Sequence, residues 1–341
     1  MTILVTALLL APTAQAGGSP VSVTAGPVIQ GLRPIALAPA PTGSKFLACL
    51  EDGSVRIIDA KTRSTVRNLA KHKDAAFAAA WSPDGSLVAT GDETARIYIE
   101  NAVTGQKIRE YRTHTKGIQK LSFNFTHQFL ISTGKDDQIN VYDLSKPAPK
   151  EAHKILGKGA NFYGATFHPK QPSTIVTGTL GPGARVYDTN SGKVLGFLST
   201  EDTQGIFDVS YNPTGSLEAT AGKDGEVIVW DAAQRKKIVT LKGHQDWVNN
   251  VAFSPNGKLL ASASVDKSVK IWNTTTYKKI GEISEQSSIG SPLCFTADGT
   301  TLVTVNDSGF IEFNTISPAQ AGTPVVEKPA KKKKSHRRRR H

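Results

Sequence analysis

Internal repetition, with a period of about 42 residues, is the feature that most constrains the fold of this 341-residue chain. An aromatic or proline position recurs seven times, at Pro39, Trp81, Phe123, Phe167, Tyr211, Phe253 and Phe295. A second set of positions follows about nineteen residues after each of these, at Ile58, Tyr98, Tyr142, Tyr187, Trp230, Trp272 and Phe313. Two sets of positions that advance together along the chain predict seven copies of one structural unit.

Each unit carries the signals of short β-strands. In the sixth unit an alternating segment ends at Phe253, and the turn 254–257 has proline second and glycine fourth, as suits a type I turn. Two β-rich segments follow, at 259–264 and 269–272. One small sheet cannot bury both of its faces, whereas seven sheets packed radially bury them against each other. The sequence predicts an all-β fold over 21–318: a seven-bladed β-propeller of four-stranded antiparallel blades.

The last unit lacks a fourth strand of its own, because the chain reaches Pro318 soon after Phe313. Residues 21–32 precede the first unit and can supply the missing strand, which would close the ring and protect its edge. We therefore expect an N-terminal strand to complete blade 7. The predicted organisation is a signal peptide at 1–16, the propeller at 17–318, and a disordered linker with a basic tail at 319–341.

The units resemble WD repeats. The resemblance rests on Gly243-His244, the turn 254–257, Trp272-Asn273, Trp230-Asp231 and Tyr142-Asp143, and it covers roughly residues 21–318. It implies a scaffold that binds proteins or peptides on the rim of its central channel. It also implies that each blade can contain a hydrogen-bonded set of His, Ser or Thr, Asp and Trp.

Two units match that hydrogen-bonded set in full, with Tyr in place of Trp in one of them: His244, Ser262, Asp266 and Trp272, and His114, Ser132, Asp136 and Tyr142. The second unit offers His72, with Val88 where the hydroxyl would lie. An Asp precedes the second position of the repeat by six residues in six units, at Asp52, Asp92, Asp136, Asp224, Asp266 and Asp307. A hydrolase triad is excluded as an explanation, since a catalytic site occurs once and this set recurs. We assign these residues to structure.

The family resemblance places partner binding where the loops entering the first strands meet the turns between the second and third strands. Here that rim would contain Trp247, Asp246, Lys223, Lys135, Glu51 and Val265. An aromatic residue in a polar loop, such as Trp247, is typical of an interface anchor. The alternative is that Trp247 packs over the start of its own strand, and the sequence leaves both interpretations open.

No sequence motif indicates an enzyme. There is no metal-binding motif and no phosphate-binding loop, because the glycine-rich segment 178–183 precedes no helix. We therefore expect no metal, no cofactor and a non-catalytic, monomeric scaffold. The rival hypothesis is an enzyme with its site in the central channel, which a cluster of titratable residues there would favour.

The net charge of +12 is concentrated at the C-terminus. Residues 328–341 hold nine Lys or Arg, which leaves about +3 for the remainder of the chain. A polycation of this kind can bind an anionic surface or polymer, and the alternative is a solvated tail with weak, salt-sensitive contacts. Its candidate binding residues are Lys331, Lys332, Lys333, Lys334, Arg337, Arg338, Arg339 and Arg340.

The N-terminus suggests export, because an apolar run at 3–10 precedes an Ala-Gln-Ala sequence at 14–16. The main hypothesis is a secreted or periplasmic scaffold whose tail binds an anionic surface. The alternative is a cytoplasmic or nuclear adaptor whose tail contacts nucleic acid. Cys49 and Cys294 fall in neighbouring units, where two buried thiols are expected and a disulfide is the alternative.

Overall fold

A computed structural model of the chain describes residues 21–146, 153–181, 183–199, 205–288 and 292–318. These residues form 28 strands in seven four-stranded antiparallel sheets, and no helix occurs among them. The seven-bladed propeller predicted from the sequence is therefore confirmed. The proposed signal peptide at 1–16 and the basic tail lie outside the described residues.

Strand β1 comes first in the chain, and blades 1 to 3 follow with four strands each. These strands are β1 (Val21–Ile29), β2 (Pro34–Pro39), β3 (Lys45–Leu50), β4 (Val55–Asp59), β5 (Ser64–Asn68), β6 (Ala76–Trp81), β7 (Leu87–Asp92), β8 (Ile97–Asn101), β9 (Lys107–Tyr111), β10 (Ile118–Phe123), β11 (Phe129–Gly134), β12 (Gln138–Asp143) and β13 (His153–Leu156).

Blades 4 to 6 have four strands each, and blade 7 takes its last three strands from the C-terminal part of the chain. These strands are β14 (Phe162–Phe167), β15 (Thr174–Thr179), β16 (Ala184–Asp188), β17 (Val194–Leu198), β18 (Ile206–Tyr211), β19 (Leu217–Gly222), β20 (Val227–Asp231), β21 (Lys236–Leu241), β22 (Val248–Phe253), β23 (Leu259–Ser264), β24 (Val269–Asn273), β25 (Lys279–Ile283), β26 (Leu293–Phe295), β27 (Thr301–Val305) and β28 (Ile311–Pro318).

The N-terminal strand closes the ring, as the sequence predicts. β1 pairs antiparallel with β28, from Val21 opposite Pro318 to Ile29 opposite Ile311, and becomes the outer strand of blade 7. The strand is shorter than the predicted 21–32, and Leu32 instead contributes to a buried apolar cluster. Both ends of the propeller therefore meet in one blade, which leaves no open edge between blades 7 and 1.

The hydrophobic core is divided into layers between neighbouring blades. One layer brings Val229 and Leu241 of blade 5 against Val251, Phe253 and Trp272 of blade 6. Six of the seven positions that end the first strands lie in such layers or pack against them, whereas Pro39 is exposed. The pleat sends alternate residues of each strand to opposite faces, so each blade contributes to the layers on both of its sides. Burial against both neighbours makes each blade depend on the adjacent blades.

In the second set of positions predicted from the sequence, Tyr98 and Phe313 are wrong, because neither occupies the place in its blade that Trp272 occupies in blade 6. Trp272 lies opposite Leu260, but the residue opposite the equivalent Val88 in blade 2 is Glu100 rather than Tyr98. In blade 7 the residue opposite Leu302 is Asn314 rather than Phe313. The sequence pattern follows aromatic residues, whereas strand register is set by pairing and by turn length.

Both cysteines are buried free thiols, as expected, and the disulfide considered as the alternative is not formed. Cys49 lies in a cluster between blades 1 and 2, and Cys294 lies in a cluster between blades 7 and 1. Burial raises the pKa of both thiols, which keeps them protonated and unreactive.

Candidate binding site at the channel mouth

A one-residue β-bulge interrupts the first strand in blades 1 to 6. The pairing of the first and second strands skips Ile35, Phe77, Gln119, Phe207 and Asn249, and in blade 4 it shifts between Phe162 and Ala165, where Tyr163 lies. A bulge at a strand end bends the strand and redirects one side chain. The first strand of each of these six blades, which lies nearest the channel, thus turns one residue toward the same end of the channel. In blades 2, 4 and 5 this residue is aromatic.

A second ring of residues surrounds these bulges, at the turns between the second and third strands. In blades 1 to 6 the backbone amide of the turn residue donates a hydrogen bond to a carbonyl just before the first strand, as Val265 does to Trp247 at 2.9 Å and Lys223 to Gly205 at 2.9 Å. In blade 7 the Asp307 amide donates to Glu285, eight residues before the first strand. These bonds fix the turns against the bulged strands. The turn residues around the ring are Glu51, Glu93, Lys135, Leu180, Lys223, Val265 and Asp307.

The aromatic residues of blades 4 to 6 form a continuous row at this mouth. The ring centroids of Tyr163 and Phe207 are 5.3 Å apart, and those of Phe207 and Trp247 are 5.6 Å apart. The Nζ atom of Lys223 lies 4.9 Å from the Trp247 ring centroid, within cation–π range. Trp247 keeps 43% of its surface exposed. It packs on its neighbouring blade rather than only over its own strand.

The charges of the mouth are unevenly distributed. Acidic turn residues lie on blades 7, 1 and 2, whereas Lys135 and Lys223 lie on blades 3 and 5. The Nζ atom of Lys135 is 2.7 Å from both carboxylate oxygens of Glu93 and lies above the Phe77 ring. Glu51 is 3.6 Å from Arg33. The mouth therefore has an acidic arc on blades 7, 1 and 2, in which Glu51 and Glu93 are ion-paired, and an aromatic arc on blades 4 to 6 that carries Lys223.

One ion pair crosses the central channel below the mouth. Lys120 of blade 3 approaches Asp208 of blade 5 to 2.8 Å, and Asp208 also accepts a hydrogen bond from the Val251 amide. Gly164 of blade 4 lies between them, where an added Cβ would come within 2.6 Å of the Asp208 carboxylate. The channel encloses about 510 Å³. Lys120 and Asp208 neutralise each other, and no larger cluster of titratable groups appears among its described lining residues.

Chains of buried hydrogen bonds lie inside the blades. In blade 6 the Nε1 atom of Trp272 donates to Ser262 Oγ at 2.9 Å, Ser262 contacts His244 Nε2 at 2.8 Å, and His244 Nδ1 contacts Asp266 at 2.9 Å. The ionised Asp266 carboxylate can only accept, so His244 Nδ1 donates to it. Burial lowers the pKa of His244 and favours its neutral form, whose Nε2 accepts the Ser262 proton. Burial alone would raise the pKa of Asp266, but bonds from Ser268, the Gln245 amide and His244 lower it to about 2.

Blades 2 and 3 contain related chains. In blade 3, His114 lies 2.8 Å from Asp136 and 2.6 Å from Ser132, whose hydroxyl is 3.1 Å from that of Tyr142. In blade 2, His72 lies 3.0 Å from Asp92 and 2.8 Å from the hydroxyl of Thr90. The assignment of the hydroxyl position to Val88 is therefore wrong, since Thr90 occupies it two residues later.

The remaining predicted Asp residues make different contacts. Asp52 accepts bonds from the amide and hydroxyl of Ser54, and Asp224 accepts one from the amide of Glu226. Asp307 joins the rim through its backbone amide. The hydroxyls of Ser132 and Ser262 are fully buried. A substrate therefore has no access to them as nucleophiles, and we interpret the chains as structural.

The rim residues identified from the sequence, namely Trp247, Asp246, Lys223, Lys135, Glu51 and Val265, all lie around the mouth. The sequence analysis missed Phe77, Tyr163, Phe207 and Glu93. Phe77, Tyr163 and Phe207 could have been identified from the sequence, because each lies four residues before one of the repeated positions that end the first strands. The structure contains no group of three or more potential metal ligands and no helix able to cross a membrane among the residues it describes.

The model of the "WD domain, G-beta repeat" family matches residues 63–99, 105–143, 192–231 and 235–273. Cleavage stimulation factor subunit 50 of Arabidopsis thaliana is 29% identical over 189 residues, which cover 51% of this chain and 44% of that protein. Actin-interacting protein 1 of Drosophila melanogaster is 26% identical over 216 residues, 62% of this chain and 35% of that protein.

The guanine nucleotide-binding protein subunit beta of Zea mays is 22% identical over 195 residues, which cover 54% of this chain and 51% of that protein. The matches thus span about half or less of each of these relatives. Each matched repeat begins near the outer strand of one blade and ends with the third strand of the next, as 235–273 does from β21 to β24. Every repeat therefore ties two blades together.

Proposed function

Because the chain belongs to the WD-repeat β-propeller family, we propose that it is a non-catalytic, monomeric scaffold that binds a protein or peptide at the channel mouth. The observation that carries this proposal is the row Tyr163, Phe207 and Trp247, which lies beside Lys223 on one arc of the rim. Exposed aromatic side chains held by neighbouring blades form a preorganised surface, which lowers the entropic cost of binding.

The polarity of the mouth supports a peptide with an uneven charge distribution. An acidic or aromatic segment complements the aromatic arc with its Lys223, and a basic segment complements the opposite acidic arc. The names of the relatives support protein partners: two are called subunits, and a third is called actin-interacting.

We propose the intracellular adaptor in preference to the exported scaffold. The relatives support this choice by name, since they include a cleavage stimulation factor subunit, a nuclear distribution protein and a small nucleolar RNA-associated protein. In this setting the tail residues, which lie outside the described part of the chain, would contact nucleic acid through their positive charge. The apolar segment at 3–10 then has no role in export.

Replacing Trp247 with alanine should weaken partner binding by about tenfold or more, which corresponds to about 1.4 kcal/mol, while folding stability changes by less than about 1 kcal/mol. Trp247 is half-exposed, so its loss leaves no large cavity. A partner captured with the tagged full-length protein provides the ligand, and calorimetry measures its affinity. Ile238→Ala, at an exposed site on the outer strand of blade 5, is the control. Unchanged affinity in the Trp247 variant would show that the partner does not bind at the channel mouth.

Deleting residues 328–341 should leave the thermal unfolding curve unchanged and remove salt-sensitive retention on immobilised RNA or DNA. The deleted segment carries nine positive charges and no acid, so its contacts with phosphates depend on released counterions. A variant with the eight residues 331–334 and 337–340 changed to Gln provides a length-matched control. Retention that survives both changes would show that the propeller body binds the nucleic acid.

A further inference from the structure

The outer edge of blade 4 differs in its chemistry from most other blade edges. Among the strands that the structure describes, β17 pairs only with β16, and its Val194, Leu195 and Phe197 are 42%, 42% and 56% exposed. An edge strand presents unpaired backbone groups, which soluble proteins commonly protect with charged side chains. The outer strands of blades 1, 2, 3, 5 and 6 each contain Lys or Arg, whereas β17 contains no charged residue.

A groove of about 430 Å³ lies beside this edge, between β13 of blade 3 and strands β16 and β17 of blade 4. Its described lining contains four basic side chains and no Asp or Glu; the basic residues are His153, Lys154, Lys158 and Arg185. Leu156, which is 57% exposed, is also part of the lining. The groove therefore combines positive charge with exposed apolar surface.

The strand register joins the groove and the edge into one surface. Arg185 lies directly opposite Phe197 on the neighbouring strand, and Tyr187 lies opposite Val194. Directly opposed residues of antiparallel strands project from the same face, so the arginine and the exposed phenylalanine are neighbours on the groove side.

One acid next to this surface is already engaged. Asp137 packs against Gly157 and accepts hydrogen bonds from the amides of Gly159 and Asn161, at 2.5 and 2.7 Å. Its carboxylate therefore holds the loop after β13 and is not among the residues that line the groove.

We infer that this surface binds an extended peptide that adds a fifth strand to blade 4, and that the groove-facing side chains of the peptide, at every second position, include both apolar and acidic residues. Backbone pairing uses the free edge of β17, apolar side chains of the peptide contact Val194 and Phe197, and its carboxylates face Arg185 and Lys158. Charge complementarity selects an acidic peptide over a basic one. This second surface lies on the outer strands and does not depend on binding at the channel mouth.

The test uses phage-displayed random peptides selected on the full-length protein. We expect the selected peptides to carry both acidic and apolar residues at every second position, so that both face the groove. A fluorescein-labelled member of the set should bind in an anisotropy assay, and its affinity should fall by about tenfold in Lys158→Glu/Arg185→Glu and by about fivefold or more in Phe197→Ser. N-methylation of alternate peptide amides should abolish binding, because it removes the donors needed for strand pairing.

Two controls lie at the outer edge of blade 5. Lys236→Glu reverses a charge there, and Ile238→Ser changes a side chain that is 42% exposed, the same as Leu195. Both should leave affinity within about twofold, as should Trp247→Ala, which separates this surface from the mouth. Failure to enrich acidic–apolar peptides would overturn the proposal. So would affinities that depend on Arg185 but not on Phe197, since these would indicate a general polyanion site rather than strand addition.

Discussion

Trp272→Ala should lower the free energy of unfolding by about 3–5 kcal/mol, the range expected for truncation of a buried aromatic side chain. Trp272 is only 3% exposed and packs with Val229, Val251 and Phe253 in the layer between blades 5 and 6. Its loss also removes the Nε1 hydrogen bond to Ser262, at the start of the chain that reaches Asp266. Chemical denaturation followed by fluorescence and circular dichroism measures the change.

Two further variants separate packing from hydrogen bonding. Trp272→Phe keeps most of the buried ring but cannot donate to Ser262, so it should cost less, about 1–2 kcal/mol. Trp247→Ala removes the same atoms from a half-exposed position and should cost less than about 1 kcal/mol. If Trp272→Ala and Trp247→Ala had equal effects, the layer between blades 5 and 6 would not be a stabilising core.

Glu218→Gln should stabilise the protein by about 2–4 kcal/mol at pH 9 and by less than about 1 kcal/mol at pH 5. Glu218 is fully buried and lies opposite both Tyr211 and Trp230 in blade 5. Burial raises the pKa of its carboxyl to about 8, although the Tyr211 hydroxyl and the charge of Arg235 act in the opposite direction. Its Oε1 atom has no hydrogen-bond partner.

The sign of this effect follows from proton binding. Between the unfolded pKa of about 4.5 and the folded pKa of about 8, the folded protein binds more protons at Glu218 than the unfolded chain does. Stability at this site therefore falls as the pH rises through that interval, and glutamine removes the dependence. Denaturation curves from pH 5 to pH 9 measure it, with the exposed Glu285→Gln as control. Parallel pH profiles for the wild type and Glu218→Gln would contradict the assignment.

The blade number and ring closure were predictable because both follow from repetition and from the absence of a fourth strand in the last unit. The pairing register of the third strands of blades 2 and 7 was not predictable. In blade 2 the sequence favours Tyr98 as the counterpart of Trp272, yet pairing places Glu100 opposite Val88. A buried carboxylate at a position that holds an aromatic residue in blades 3 to 6 conflicts with any pattern based on hydrophobicity.

The binding surfaces were predictable in part. Trp247 was identifiable as an aromatic residue in a polar loop, and Lys223 and Lys135 as residues of the turns. Phe207 and Tyr163 were missed because an alternating strand pattern assigns each residue to one face, whereas a bulge reassigns it. The basic groove depends on β13 lying beside β16, and the proximity of Lys158 to Arg185 has no signature in either segment alone.

The aromatic mouth gains its rigidity from the blades that support it. Tyr163, Phe207 and Trp247 come from three successive repeats, and each repeat is tied to its neighbour by an outer strand. The relative positions of the three aromatic side chains therefore depend on the closed propeller as a whole. If partners bind at the mouth as proposed, residues in buried layers, such as Trp272, support binding without contacting the partner.

Amide hydrogen exchange of the full-length protein, with and without a captured partner, tests most directly whether partners bind at the channel mouth. The account predicts that the partner slows exchange in the bulged starts of β6, β14 and β18 and in the turn that contains Lys223. Slower exchange confined to the turns at the opposite end, such as Ser254–Gly257, with no change at the mouth, would contradict it.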